Sequence, residues 1–184
     1  NAFLGDSAGR ATTSGTLNTG FGHKTLKSVT TGIQNTGLGY GAIRKNTSGN
    51  YNTAIGNDAL AGNITGESNV AIGAYALYKS DANYNTAVGT SALYENTSGL
   101  SNTAMGVQAL RLNTTGNFNT AMGVNAMFFN VQGSENSAFG REALFNNTHG
   151  NNNSALGSRS LFSNTLGNNN TALGYSALYD NQAG

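Results

Sequence analysis

The chain reads as an all-β protein, a parallel β-solenoid of the β-roll type built from 17-residue coils. Three observations carry that reading. One motif recurs along the whole sequence: Asn52-Thr53-Ala54-Ile55-Gly56, Asn102-Thr103-Ala104-Met105-Gly106 and Asn170-Thr171-Ala172-Leu173-Gly174 are three of its copies. The period is 17 residues, which is too short for a helical-hairpin repeat and suits one coil of stacked short strands. The chain is also rich in Gly, so a continuous helix is disfavoured while tight corners are easy to make.

We number the repeat from its central glycine, which falls at Gly5, Gly22, Gly39, Gly56, Gly73, Gly89, Gly106, Gly123, Gly140, Gly157 and Gly174. Every step is 17 residues except the 16 between Gly73 and Gly89. The consensus is G-x-x-A-L-x-x-N-T-T-G-x-x-N-T-A-φ, with φ large and apolar. Two or three short strands per coil are expected, joined by corners in which the glycines at positions 1 and 11 take positive φ. Coils stacked about 4.8 Å apart would make a rod of about 50 Å.

Each column has a physical reading. Position 14 is always Asn, and a stacked amide bonds the amides above and below it, as in cross-β ladders. The rungs are Asn52, Asn69, Asn85, Asn102, Asn119, Asn136, Asn153 and Asn170, with a second Asn column at position 8. Position 17 is always large and apolar and is expected to plug the core. Position 16 is mostly Ala. Charged residues keep to positions 2, 3, 6, 7, 12 and 13, with Asp81 in the shortened coil the exception. Both parities of the 14–17 segment are therefore free of charge, although a half-buried strand should alternate. Two buried faces follow: one inside the coil, and one, lined by the small Ala, against another chain. A side-by-side homotrimer is the expected closure. In the shortened coil a local kink or altered corner is expected, with the register resuming at once.

The N-T-A-φ-G-x-x-A-L motif resembles the repeats of trimeric autotransporter adhesin heads. It is also similar to N-T-T-G-x-x-N-T-A-x-G-x-x-A-L runs in tail-fibre-like proteins. The resemblance covers essentially all of residues 1–184, read as a single repeat array of about eleven coils. The array begins and ends in mid-motif, as a fragment of a longer fibrous protein would. The resemblance implies a left-handed β-roll, three chains side by side, displayed on a cell or virion surface and attaching to a host glycan or surface protein, or serving as a stiff shaft. The adhesin heads have a shorter repeat, and the extra L-x-x-N-T-T-G turn departs from them.

Chemistry is sparse. Charged residues are 9% of the chain and the net charge is +1, which gives no general pull toward nucleic acid or an anionic membrane. No apolar run reaches the roughly 20 residues of a membrane span. There is no Cys, hence no disulfide or thiolate metal site. His23 and His149 lie far apart, and the carboxylates are scattered singly. No catalytic, cofactor or metal residue is assigned, and no enzyme activity is expected. The N-x-[ST] sequons at Asn46, Asn63, Asn96, Asn113, Asn146, Asn152 and Asn169 read as by-products of the repeat.

Position 6 changes character along the chain. It is basic at Arg10, Lys27 and Arg44 and then aromatic at Tyr78, Tyr94, Phe128, Phe145, Phe162 and Tyr179, with Arg111 interrupting. The column reads either as a stacked ladder that stiffens the rod or as a surface recognition stripe for sugars or a protein. Ice binding is an alternative function, because Thr recurs at positions 9 and 15; against it, position 15 sits in the segment expected to be buried. An inert structural filament is the other alternative.

Overall fold

A computed structural model describes residues 1–182. The fold is an all-β parallel solenoid with one three-residue strand per coil: β1 (Ala2–Leu4), β2 (Thr19–Phe21), β3 (Thr36–Leu38), β4 (Thr53–Ile55), β5 (Val70–Ile72), β6 (Thr86–Val88), β7 (Thr103–Met105), β8 (Thr120–Met122), β9 (Ser137–Phe139), β10 (Ser154–Leu156) and β11 (Thr171–Leu173). They form one parallel sheet in sequence order. The register matches like with like, for example Thr103 with Thr120, Ala104 with Ala121 and Met105 with Met122.

The sequence led us to expect two or three strands per coil, and the remainder is instead stacked turns. Two back-to-back turns follow each strand. In the fourth coil Ala59 N–H donates to Gly56 O (3.4 Å) and Asn63 N–H donates to Leu60 O (3.3 Å). The first is a type II turn, which requires positive φ at its third residue. Asp58 has φ 51° there, and Leu60 follows at 52°. Backbone bonds tie each coil to its neighbours all the way round, as Leu60 N–H to Ala76 O (2.9 Å) and Gly62 N–H to Tyr78 O (2.8 Å) show on the turn side.

Positive φ falls at positions 1, 3, 5 and 13, so the expectation for position 11 is corrected. Gly is needed at position 11 for space. A Cβ at Gly116 would run into the carbonyl oxygen of Gly133 one coil on, and the same holds for Gly99 against Gly116.

The larger correction concerns the strand faces. Ala104 is fully buried while Met105 is 41% exposed, and the pattern repeats along the sheet. Position 16 faces the interior and position 17 faces out. The coil is too thin for a large residue from both sides. Position 5 already fills it with Leu26, Ile43, Leu60, Leu77, Leu93, Leu110, Met127, Leu144 and Leu161, all fully buried, and only Ala fits opposite. The first coil demonstrates the rule by exchange. There Phe3 holds position 16 and Gly9 holds position 5, and a Cβ on Gly9 would strike the Phe3 ring.

The shortened coil keeps the sheet register, with β5 paired to β6 in line. In a full coil three successive N–H groups share one carbonyl of the next coil: Thr97, Ser98 and Gly99 all donate to Thr114 O at 3.0, 3.1 and 3.3 Å. The residue that would supply this oxygen is missing after Ser80. The Asp81 side chain replaces it, and its Oδ1 accepts from Ile64 N–H (2.7 Å), Thr65 N–H (2.7 Å) and Gly66 N–H (3.0 Å). This is the altered corner anticipated from the sequence, achieved by a side chain standing in for a backbone carbonyl. Asp81→Ala is expected to cost about 1–2 kcal/mol in urea denaturation, with Asp81→Asn losing less than half of that. A loss below about 0.3 kcal/mol for the alanine variant would contradict this account.

Candidate functional site

Three side-chain columns run along the rod, the aromatic one from Tyr78 to Tyr179, and are the features that can act. The first is internal. The position-14 ladder consists of Asn52, Asn69, Asn85, Asn102, Asn119, Asn136, Asn153 and Asn170, preceded by Asn18 and Asn35. Asn102 Nδ2 donates to Asn85 Oδ1 (3.2 Å) and to Gly116 O (2.9 Å). Asn102 Oδ1 accepts from Asn119 N–H (2.9 Å) and Asn119 Nδ2 (3.1 Å). The position-8 Asn side chains make a second ladder, including Asn113 Nδ2 to Asn96 Oδ1 (2.8 Å) and Asn130 Nδ2 to Asn113 Oδ1 (2.8 Å). Ser80 breaks this second ladder, and Asn63 Oδ1 below it is buried without a hydrogen-bond partner. The ladders also decide most of the sequons. Asn46, Asn63, Asn96 and Asn113 are fully buried, so an oligosaccharide cannot be joined to them in the folded rod. Asn152 and Asn169 are exposed.

The second column is the aromatic one at position 6. Tyr78 stacks on Tyr94 at 5.1 Å, Phe128 on Phe145 at 5.5 Å, Phe145 on Phe162 at 5.1 Å and Phe162 on Tyr179 at 4.9 Å, with planes within 21° of parallel. Arg111 does not interrupt the stack: its guanidinium lies 5.4 Å from the Tyr94 ring and 5.6 Å from the Phe128 ring. The column is therefore continuous and cation–π bridged. The rings between Tyr78 and Tyr179 have both faces covered by their neighbours, and these two end rings are stacked on one side. Sugar stacking needs a free ring face, so this geometry favours the stiffening role over the recognition role.

The third column is the outer face of the sheet. Position 17 presents Leu4, Phe21, Leu38, Ile55, Ile72, Met105, Met122, Phe139, Leu156 and Leu173, all 36% exposed or more, with Val88 half-buried. Position 15 lies beside it, half-buried or exposed, with Thr or Ser at every rung of β2 to β11 except Val70. Exposed Tyr51, Tyr84 and Phe118 at position 13 and Val107 and Val124 at position 2 flank the strip. At one end a shallow apolar groove of about 500 Å³ lies among Phe139, Leu156 and Leu173 and the Ser and Thr beside them. The expectation that the Ala face meets a neighbour is thus overturned, and the unpartnered apolar face is the opposite one. The objection to ice binding falls as well, because the position-15 hydroxyl column is on the outside.

Charged groups sit at the corners, several of them in pairs. Arg44 Nε is 2.8 Å from Asp58 Oδ1, Lys79 Nζ is 2.7 Å from Glu95 and His23 Nε2 is 3.0 Å from Asp6. Glu142 is clamped by Arg159 (2.7 Å) and Arg141 (2.8 Å), and their hydrogen bonds hold its carboxyl below the usual range. That contribution is present above the ordinary glutamate pKa and is lost as pH falls through the lowered one. Among the described residues no three of His, Cys, Asp and Glu are grouped as a metal site would require, and no helix is long and apolar enough to cross a membrane. The chain matches no protein-family model, no curated protein and no solved structure. Its reading therefore rests on its own geometry.

Proposed function

We propose that the chain is a structural segment of an extracellular fibre, of the kind found in bacterial surface adhesins and tail-fibre-like proteins. It serves as a stiff shaft that also carries attachment sites at the cell or virion surface. The observation that carries this reading is the unbroken apolar strip at position 17. A strip about 50 Å long and about 10 Å wide presents roughly 500 Å² of largely apolar surface, near the upper end of what monomeric proteins leave uncovered. The flanking tyrosines and valines bring the face toward the roughly 800 Å² per partner of a stable interface. Homo-association through this face, with a trimer as the favoured closure, covers the strip on every copy. Identical chains then repeat each weak surface contact, which multiplies avidity toward a host glycan or surface protein. Nucleic acid and membrane insertion have no place in this reading, and neither a cofactor nor catalysis is invoked.

Sedimentation of the isolated chain at micromolar concentration is expected to give a discrete species of three chain masses. A folded monomer at that concentration would exclude the association. Ice binding keeps one supporting observation, the outward Thr column on a parallel sheet. Beside it, however, stand side chains as unequal as Val88, Met105 and Phe139, and a surface that matches a crystal lattice should be regular. The ice-binding reading requires measurable thermal hysteresis, and its absence removes that alternative.

A further inference from the structure

Charge is unevenly spread along the rod. Five of the nine Lys and Arg but only one of the eight Asp and Glu lie in residues 1–45, so that end carries +4 and the remainder −3. The excess is concentrated in one place. A cleft of about 390 Å³ opens between the second and fourth coils, lined by Lys24, Lys27, Tyr40, Arg44 and Lys45 together with Asp58. A second cleft of about 280 Å³ continues from Arg44 and Lys45 to Tyr78 and Lys79.

The clefts exist because small residues stand where the repeat elsewhere carries bulk. Ala61 and Gly62 hold positions 6 and 7 of the fourth coil, so the aromatic column is absent between Arg44 and Tyr78. Gly41 holds position 3, where a Cβ would strike the Asp58 carboxylate. That carboxylate in turn holds Arg44 Nε at 2.8 Å, and Arg44 Nη2 reaches the Tyr78 hydroxyl at 3.4 Å. Asp58 is thus occupied in fixing one cation at the floor of the groove. Lys24, Lys27 and Lys45 have no carboxylate partner among the described residues. Tyr40 is 47% exposed, outside the stacked column, and Lys24 Nζ stands 5.8 Å from its ring.

We infer that this groove binds a short stretch of an acidic polysaccharide. Lys24, Lys27 and Lys45 would meet its sulfate or carboxylate groups, and Tyr40 would pack on a sugar ring. The groove runs along the rod for about three coil spacings, roughly 15 Å, which suits an extended oligosaccharide. A nucleic acid fits less well, because single strands are gripped by several aromatic faces on which successive bases stack, and the cleft among the lysines has one aromatic in its lining, Tyr40. The lysines lie at positions 3, 6 and 7 of a single chain, off the position-17 strip, and Tyr40 at position 2 stands on the side of the groove nearest that strip, so the site is present once per chain.

The test is calorimetric titration of the full chain at low salt with a fully sulfated glucosamine–uronate hexasaccharide. A sulfate-free oligouronate, a neutral hexasaccharide and a single-stranded oligonucleotide of equal charge run in parallel. One acidic saccharide per chain is expected to bind, with no response to the neutral one. The preference between the first two ligands identifies sulfate or carboxylate as the group recognised. The variant Lys24→Gln/Lys27→Gln/Lys45→Gln is expected to lose about 30-fold in affinity with an unchanged circular dichroism spectrum, since each exposed contact is worth up to about fivefold and commonly about threefold. Arg10→Gln, one coil outside the groove, should change affinity less than about twofold. The inference is overturned if neither acidic saccharide binds, if the triple variant binds as the parent does, or if the oligonucleotide binds as tightly as the saccharides.

Discussion

Asn102→Ala lowers the stability of the rod by about 2–4 kcal/mol, the largest effect expected from any single interior truncation of this size. The side chain is fully buried and makes four hydrogen bonds, two donated and two accepted. Alanine leaves the Asn119 N–H without its acceptor in a dry interior, a loss of about 1–3 kcal/mol, and removes one of the two amide donors to Gly116 O, which keeps Asn113 Nδ2 at 3.0 Å. Asn102→Asp is expected to be worse at neutral pH. Its second carboxylate oxygen would face two acceptors, Gly116 O and Asn85 Oδ1. Burial and those acceptors raise the folded-state pKa of the new carboxyl above its unfolded value. The variant is then relatively more stable below the unfolded pKa and loses that stability as pH rises from there through the raised folded pKa. Urea denaturation, with hydrogen exchange read at the Asn102 and Asn119 coils, checks both. Asn151→Ala, on the solvent-facing side where Asn151 Nδ2 meets Asn168 Oδ1 at 3.2 Å, should cost under about 1 kcal/mol. Equal losses at Asn102 and Asn151 would show that the buried ladder is not what holds the coils together.

Met105→Glu with Phe139→Glu is expected to dissociate the proposed assembly into folded monomers. The two side chains are 41% and 37% exposed and point away from the core, so the chain loses no interior packing. They lie two coils apart, about 10 Å, close to one Debye length in physiological salt, so the new charges repel each other little within a chain. Between chains they would be buried without partners, which an apolar interface does not tolerate. Sedimentation should move to one chain mass while circular dichroism stays that of the parent. The matched pair Ala104→Glu and Ala138→Glu, one residue earlier on the inward side, should instead unfold the chain. If the outward pair leaves the sedimentation unchanged, the sheet face is not an interface.

The 17-residue period, the Asn columns and the solenoid class could be read from the residues because they are consequences of stacking identical coils. The facing of the strand could not. Absence of charge at both Ala104 and Met105 says that neither side is freely hydrated, and alternation then has two solutions. Size decides between them. Leu110, the position-5 residue of that coil, already fills the interior, and the coil has room only for Ala opposite it. The exchange of Phe3 and Gly9 in the first coil held that information in the sequence as well. The left-handed conformations at positions 3, 5 and 13 were not legible. Residues such as Ile43, Gln108 and Phe118 give no local sign of positive φ, which is imposed here by ladder bonds to the coils on either side. The lysine groove was equally hidden, because its lining comes from several coils and its opening depends on what Ala61 and Gly62 lack.

The corner containing Asp81 has a bearing on how such a rod can change length. One residue is missing there, yet the strands on either side pair without a slip, because every other part of the circumference is bonded independently to the next coil. A deletion is absorbed wherever a single acceptor can replace the oxygen that collects three N–H groups. The same corner should accept additions, since an inserted loop need only leave that oxygen in place. The junction of positions 9 and 10, ahead of the close-packed Gly at 11, is thus the natural site for grafting a foreign peptide, presented at one-coil intervals along a scaffold that does not change register to receive it.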